Sequence, residues 1–222
     1  VRWRNVLMKS VEDAKIRMTD SVWGPVAESI PLLTKKQKIA GVALINIGAG
    51  VTSVLVYENN IPLLVSTISV GGDDITKDIA LGMKVTLEEA DLLKRGKSSL
   101  PHSKKRLEEI ITARLEDLCI KITKEFSKIQ RQELLPAGII VCGSSSLVPH
   151  LERIFRDDLK LPIKITSNEL SKLTHDVLRD SDWARCYGLT FLAPNDSDND
   201  MIKEVLTSFF TRVKKLLVQF LP

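Results

Sequence analysis

The sequence predicts an α/β domain in which helices surround a mixed sheet. Three observations carry that prediction. Short apolar runs of strand character alternate with longer segments whose apolar residues recur at steps of three and four. The first three strand-like runs, within residues 41–70, follow one another with only turn residues between them, which makes an antiparallel meander. Two later runs, "AGIIVCGSSS" and "PIKIT", are set apart by helix-like stretches, the alternation of an α/β core.

Composition narrows the function classes. A chain of 222 residues with 44% hydrophobic and 27% charged content can bury a real core, as one large domain or two small ones. A net charge of +4 is mild, and no nucleic-acid partner is expected from it. Cys119, Cys142 and Cys186 are odd in number, far apart and without a CxxC pair, which fits a reducing compartment better than a disulfide framework. His102, His150 and His175 show no metal-ligand spacing. No apolar run reaches the roughly 18 residues that a bilayer-crossing helix needs. The chain starts at Val1 without signal-peptide architecture and is expected to be a piece of something longer.

Each element follows in turn. Residues 2 to about 18 read as a helix, with Val6, Leu7, Val11, Ala14 and Ile16 as a partial apolar stripe. "SVWGPVAESIPLL" gives an extended piece and then a helix with Pro25 in its favoured first turn. "TKKQKIA" reads as a polar connector. The meander comprises "GVALINIG", "TSVLVYE" and "IPLLVSTISV", with "ENN" turning between the last two. Gly71 and Gly72 break the third strand, and Asp73 or Asp74 caps a helix through "ITKDIALGM". "TLEEADLLK" forms the next helix, with Thr86 as cap and Glu89 at the capping-box position. Beyond the basic loop "RGKSSLPHSKK", a long helix runs from about Ser103 to Gln130, lined by Leu107, Ile110, Ile111, Leu115, Leu118, Ile122 and Phe126. "LVPHLERIFRDDL" is a helix after the strand "AGIIVCGSSS", and "SDWARCYGLTFLA" is a helix near the end.

Two glycine turns stand at strand ends. In "GVALINIGAGVTSVLVY" a buried strand opens into Gly48, Ala49 and Gly50, and alone such a turn is most often a plain hairpin. Its pairing with "VCGSSSLVPHL" is more informative. There a strand runs into small residues and opens a helix, whose start presents unpaired N–H groups to an anion or a sugar-phosphate edge.

These stretches resemble the FtsA family of bacterial cell-division proteins, within the actin/Hsp70-like ATPase superfamily. "GVALINIGAGVTSVLVYENN" is similar to the family's second phosphate loop, normally close to IDIGGGTTD. "TISVGGDDITKDIALGMKVTLEEADLLK" resembles its VGGDxxTxDIA…EEAExLK stretch, and "LLPAGIIVCGSSSLVPHLERI" its adenosine loop, PAGIVLTGGG. The pilus protein PilM shares much of the pattern, but the order in "DDITKDIALG" and the chain's tail favour FtsA. The resemblance implies an actin-like (ribonuclease H-like) second domain. Residues 1–40 would end subdomain 1A, 41–70 and 136–180 would form 2A, and 71–135 a shortened 2B. A helix at 181–194 would return to 1A, 195–200 would be an acidic linker, and 201–222 an amphipathic helix.

The implied cofactor is ATP with Mg2+. Its binding residues would be Asn46, Gly48, Ala49, Gly50 and Thr52 in the first loop, Asp91 and Lys94 at the ribose, and Gly143, Ser144 and Ser145 in the second loop. No catalytic residue or metal ligand is assigned. The superfamily's aspartate, which helps hold the magnesium shell, is replaced by Asn46, and Ser53 replaces the usual acid that closes the motif. Asparagine keeps the hydrogen-bonding shape without the charge that a hard cation favours, so ATP use is expected to be weak or lost. Serine at positions 144 and 145 would be strained by about 1 kcal/mol or more if they needed a positive φ, and its hydroxyls would be open to a ligand if they did not. Read from spacing alone, Asp91 and Lys94 are an exposed surface pair.

The partners follow from the resemblance and from the tail. In the family, subdomain 2B docks the C-terminal peptide of the tubulin-like division protein FtsZ, and an arginine pairs with peptide carboxylates. Arg114 in "ITARLEDL" matches that position, and Arg106 lies two turns earlier. By charge alone the same stretch is a solvated face, and the family's hairpin insert is shortened here. In "MIKEVLTSFFTRVKKLLVQFLP", Ile202, Val205, Leu206, Phe209, Val213, Leu216, Leu217 and Phe220 fall on one helical face, and Arg212, Lys214 and Lys215 lie opposite. That pattern predicts a helix inserted at an anionic membrane surface, with the basic residues contributing about 1 kcal/mol each. The expected function is an FtsA-type adaptor on the cytoplasmic face of the cell membrane at the division site, tethering FtsZ filaments and self-associating. An active ATPase or phosphotransferase, or a PilM-like pilus scaffold, are the alternatives; Asn46 counts against the first and the tail against the second.

Overall fold

In the computed structural model, which describes residues 2–18, 20–97, 104–166 and 183–192, five strands form one mixed sheet. β1 (Val42–Ile47), β2 (Thr52–Glu58) and β3 (Ile61–Ile68) make the expected antiparallel meander. β4 (Ile139–Cys142) pairs parallel with the free side of β1, and β5 (Ile163–Ile165) pairs parallel with β4, giving the order β3-β2-β1-β4-β5. The helices are α1 (Arg2–Asp13), α2 (Gly24–Leu32), α3 (Lys35–Ala40), α4 (Gly72–Met83), α5 (Leu87–Lys94), α6 (Lys104–Lys128), α7 (Leu151–Leu159) and α8 (Ala184–Leu192). The chain divides into two compact units, Val1–Phe191 and Leu192–Pro222, and the sheet lies in the first. The linker and the amphipathic helix expected at 195–222 lie outside the described residues.

The sheet is apolar on both faces, because its central strands alternate between two cores. Ala43, Ile45 and Ile47 of β1, Val54 and Val56 of β2, and Ile139 and Val141 of β4 enter the larger core, with residues of α4, α5, α6 and α7. Val42, Leu44, Leu55, Tyr57, Ile140 and Cys142 enter the smaller one, with Leu32 of α2 and Ala184 of α8. Five of the seven apolar residues assigned to one side of the long helix are buried in α6, while Leu107 and Ile110 pack against the larger core only partly buried.

Two boundaries differ from the sequence reading. The expected connector "TKKQKIA" is helix α3, closed by a capping box in which the Gln37 N–H donates to Thr34 Oγ1 and the Thr34 N–H donates to Gln37 Oε1. The first helix stops at Asp13 rather than about residue 18, and Lys15 adopts a left-handed φ of 56°. Its partial apolar stripe does not bury, and Val6, Leu7 and Ile16 are exposed.

α2 and α8 are clamped together on the smaller core. The Arg185 guanidinium binds the buried Glu28 carboxylate through Nε at 2.8 Å and Nη2 at 2.6 Å. At Gly188 an added Cβ would lie 1.9 Å from the Ala27 carbonyl oxygen, so only glycine permits this approach. Gly188→Ala is therefore expected to cost about 1–3 kcal/mol through overpacking. Chemical unfolding of the purified chain checks this, and an unchanged midpoint would show that the two helices do not meet at Gly188.

Candidate functional site

The two glycine loops leave the same end of the sheet, because β1 and β4 are parallel neighbours with Asn46 opposite Cys142. The first loop closes on itself, the Gly48 N–H donating to the Val51 carbonyl at 3.0 Å, with Ala49 and Gly50 exposed at its tip. The second loop is stapled to the first strand by the Ser145 N–H, which donates to the Ile47 carbonyl at 3.0 Å. Gly143 has a φ of +98°, and a Cβ there would sit 2.4 Å from Asn46 Oδ1. Any other residue at 143 would be strained and would strike Asn46.

A third segment completes the junction. The start of α4 lands on the first loop, with the Gly72 N–H on the Gly48 carbonyl at 2.9 Å and the Asp73 N–H on the Ala49 carbonyl at 2.8 Å. Asp74 Oδ2 accepts from the Gly71 N–H at 2.9 Å, and that bond, before any other cause, holds its carboxyl below the usual range. A Cβ at Gly71 would lie 2.3 Å from the Ala49 carbonyl oxygen, and one at Gly72 would lie 2.0 Å from Ser145 Oγ. Both loops and the helix start thus meet where no side chain fits. The sequence reading has Gly71 and Gly72 as strand breakers and as part of the family-like VGGD stretch, but does not place them in the site; the signal for that is two consecutive glycines at a strand-to-helix joint.

Lys94 binds this junction from below. Its ammonium group is buried and donates to the Gly72 carbonyl at 3.2 Å and to Thr76 Oγ1 at 2.7 Å, with Asp91 Oδ1 at 2.9 Å. Asp91 also pairs with Arg95 at 2.7 Å, and its carboxyl is held below the usual range chiefly by the hydrogen bond from Lys94. The reading of Asp91 and Lys94 as an exposed surface pair is corrected: the lysine is interior, and each partner it holds compensates for its desolvation. Thr76 was not singled out in the sequence.

Other expected residues take different places. Thr52 is fully buried, its hydroxyl donating to the Val70 carbonyl at 2.8 Å, so it pins the end of the meander. Ser144 is exposed and Ser145 buried, and neither has a positive φ, so the strain considered for them does not arise. The second loop does not open directly into a helix: α7 begins only at Leu151, after a turn that ends in left-handed His150 with a φ of 66°. The helix start beside the loops is that of α4, and its leading N–H groups are taken by loop carbonyls and Asp74 rather than left for an anion. Two clefts, of about 440 and 400 Å³, flank His150 and Arg153 beside α7, and the second also borders α6. Among the described residues, no three His, Cys, Asp or Glu side chains converge as a metal site.

The two arginines also separate. Arg114 forks onto Asp78, with Nε on Oδ2 at 2.6 Å and Nη2 on Oδ1 at 3.0 Å, while Nη1 reaches Asp117 at 3.2 Å. The hydrogen bond to Asp78 is the first cause that raises its pKa. Arg106 is exposed and lies 3.6 Å from Glu109.

A sheet of this order, with two small-residue loops joined at a helix start, defines a protein of the actin-like class. The solved PilM-PilN type IV pilus biogenesis complex shares the fold at a TM-score of 0.67 and 20% identity, over 83% of this chain and 56% of that one. MreB5 of Spiroplasma citri bound to AMPPNP does so at a TM-score of 0.67 and 14% identity, over 92% and 66%. The family model "Cell division protein FtsA" matches residues 43–188, and the chain belongs to that family. Cell division protein FtsA of Bacillus subtilis is 28% identical over 183 residues, 72% of this chain and 41% of the relative. The chain spans about half the length of the curated relatives it matches.

Replacing Lys94 with Met takes the buried donor from the Thr76 hydroxyl, leaves the Gly72 carbonyl with the Thr76 hydroxyl's own hydrogen bond at 3.1 Å, and is expected to cost roughly 1–3 kcal/mol. The sign with pH follows from Asp91. Its folded pKa is depressed, so the stability it contributes is present above the unfolded carboxylate pKa and is lost as pH falls through the folded value. Lys94→Met should flatten that acid limb in urea unfolding measured against pH. A variant whose acid limb stays as steep as the parent's would show that Lys94 does not set it.

Proposed function

We propose that this chain works in cell division as an FtsA-type membrane adaptor, its actin-like body joining FtsZ filaments to the cytoplasmic face of the cell membrane. The observation that carries the reading is the family match over residues 43–188. The apolar and basic faces of residues 201–222 supply the tether, and Arg106 and Arg114 on α6 supply cations for an acidic peptide. Self-association into filaments belongs to the same reading, as a property of actin-like bodies.

A nucleotide fits this half of the site by donor type. Asp91 offers a carboxylate to ribose hydroxyls, and the exposed tip at Ala49 and Gly50, with the Ser144 hydroxyl, offers small groups that let phosphate approach. Bound ATP would supply a polyanion that draws the two halves of an actin-like cleft together. Half the relatives' length lies outside this chain, so capture is proposed only with the complementary half supplied. Asn46 gives no charge to a magnesium shell, which makes a regulatory nucleotide a better reading than a hydrolysed one. Asn46→Asp, in a chain carrying both halves, should raise magnesium-dependent ATP turnover; a rate no higher than the parent's would place the defect elsewhere.

The tether is tested by co-sedimentation with anionic vesicles, using the full chain and a form lacking residues 201–222. The full chain should pellet, less so at high salt, and the shortened form should remain in solution. If both stay in the supernatant, the membrane reading fails.

A further inference from the structure

We propose that Asp78 is an internal competitor at the Arg114 site, a carboxylate that an incoming carboxylate must displace and that sets how tightly the site binds. The inference rests on the reading of Arg114 as the contact for an acidic peptide and concerns the affinity of that contact. Asp78 comes from α4 and Arg114 from α6, 36 residues apart, and each side chain retains about 30% of its surface. The pair is therefore reachable from solvent without unfolding either helix.

The hydrogen-bond inventory sets the terms. A guanidinium has five N–H groups in a fixed plane. Three are used, by both oxygens of Asp78 and one of Asp117. Asp117 is shared with Lys121, so the four side chains alternate in sign and sum to neutral. An approaching carboxylate meets two carboxylates already seated, and only one Nη1 and one Nη2 hydrogen remain for it. A bidentate grip on the Nε edge, the geometry that makes arginine selective, is available only after Asp78 turns away. A neutral or basic segment gains nothing by displacing Asp78, whereas an acidic one replaces the lost ion pair with its own. Asp78 thus lowers the affinity of an acidic segment, and the selection of that segment belongs to the Arg114 guanidinium.

A merely structural Asp78, stapling α4 to α6, would behave in the opposite way: its removal would loosen the surface and weaken binding. The test uses fluorescence anisotropy of the full chain with a labelled peptide rich in Asp and Glu, and with its Asn and Gln counterpart. Asp78→Asn and Asp78→Ser should each bind the acidic probe about three- to fivefold tighter than the parent, the scale of a partly exposed ion pair, with no gain for the amide probe. Arg114→Ala should lose the acidic probe. If Arg114→Ala loses the probe but both Asp78 variants bind it no better than the parent, the competitor proposal is overturned and the Arg114 site stands. If Arg114→Ala binds as the parent does, the site itself is wrong and the proposal falls with it. Should the parent show no measurable binding, detectable binding by an Asp78 variant supports the proposal, and none by either overturns it.

Discussion

The contact on which the rest of this molecule depends is the landing of the α4 start on the first glycine loop. The Gly72 N–H reaches the Gly48 carbonyl, and the Asp73 N–H reaches that of Ala49. The backbone can come this close to the first loop only because residue 71 carries no Cβ. The contact fixes where the meander hands the chain to the helical layer and brings Ser145 of the second loop against Gly72. It also presents the Gly72 carbonyl to Lys94, so α5 is tied to the same point. The two loops, about 95 residues apart, thus meet the consecutive helices α4 and α5 at one corner of the sheet.

Much of this architecture was legible because β1, β2 and β4 are buried on both faces and so read in the sequence as short continuous apolar runs. The short helix α3 was not, since "KKQKIA" carries no apolar stripe and its only signal was Thr34 three residues before Gln37. The delayed start of α7 was hidden by a left-handed His150, a conformation that nothing in "LVPH" announces. Site residues were legible where a backbone requirement selects them, as at Gly143, and illegible where a distant group decides. Lys94 is buried because the Gly72 carbonyl and the Thr76 hydroxyl, 22 and 18 residues away, accept from its ammonium group. Arg114 is occupied because Asp78 faces it across two helices. Charge and spacing along one helix contain neither fact.

The two cations show how environment divides similar side chains. Lys94 is enclosed, each of its donors has an acceptor, and its contribution is to hold the corner together. Arg114 sits at the surface in an alternating chain of charges, where exchanging one carboxylate for another costs little. One is scaffold at the corner of the glycine loops, and the other is a partly exposed cation paired across two helices. Both lie within residues 43–188, the stretch that matches the FtsA family.

Native-state amide hydrogen exchange tests the central corner most directly. If the α4 start is locked onto the first loop, the Gly72 and Asp73 amides exchange only through the same large-scale opening that releases strand amides such as Val141. Exchange at Gly72 and Asp73 as fast as at the exposed loop tip, while Val141 stays protected, would contradict the account.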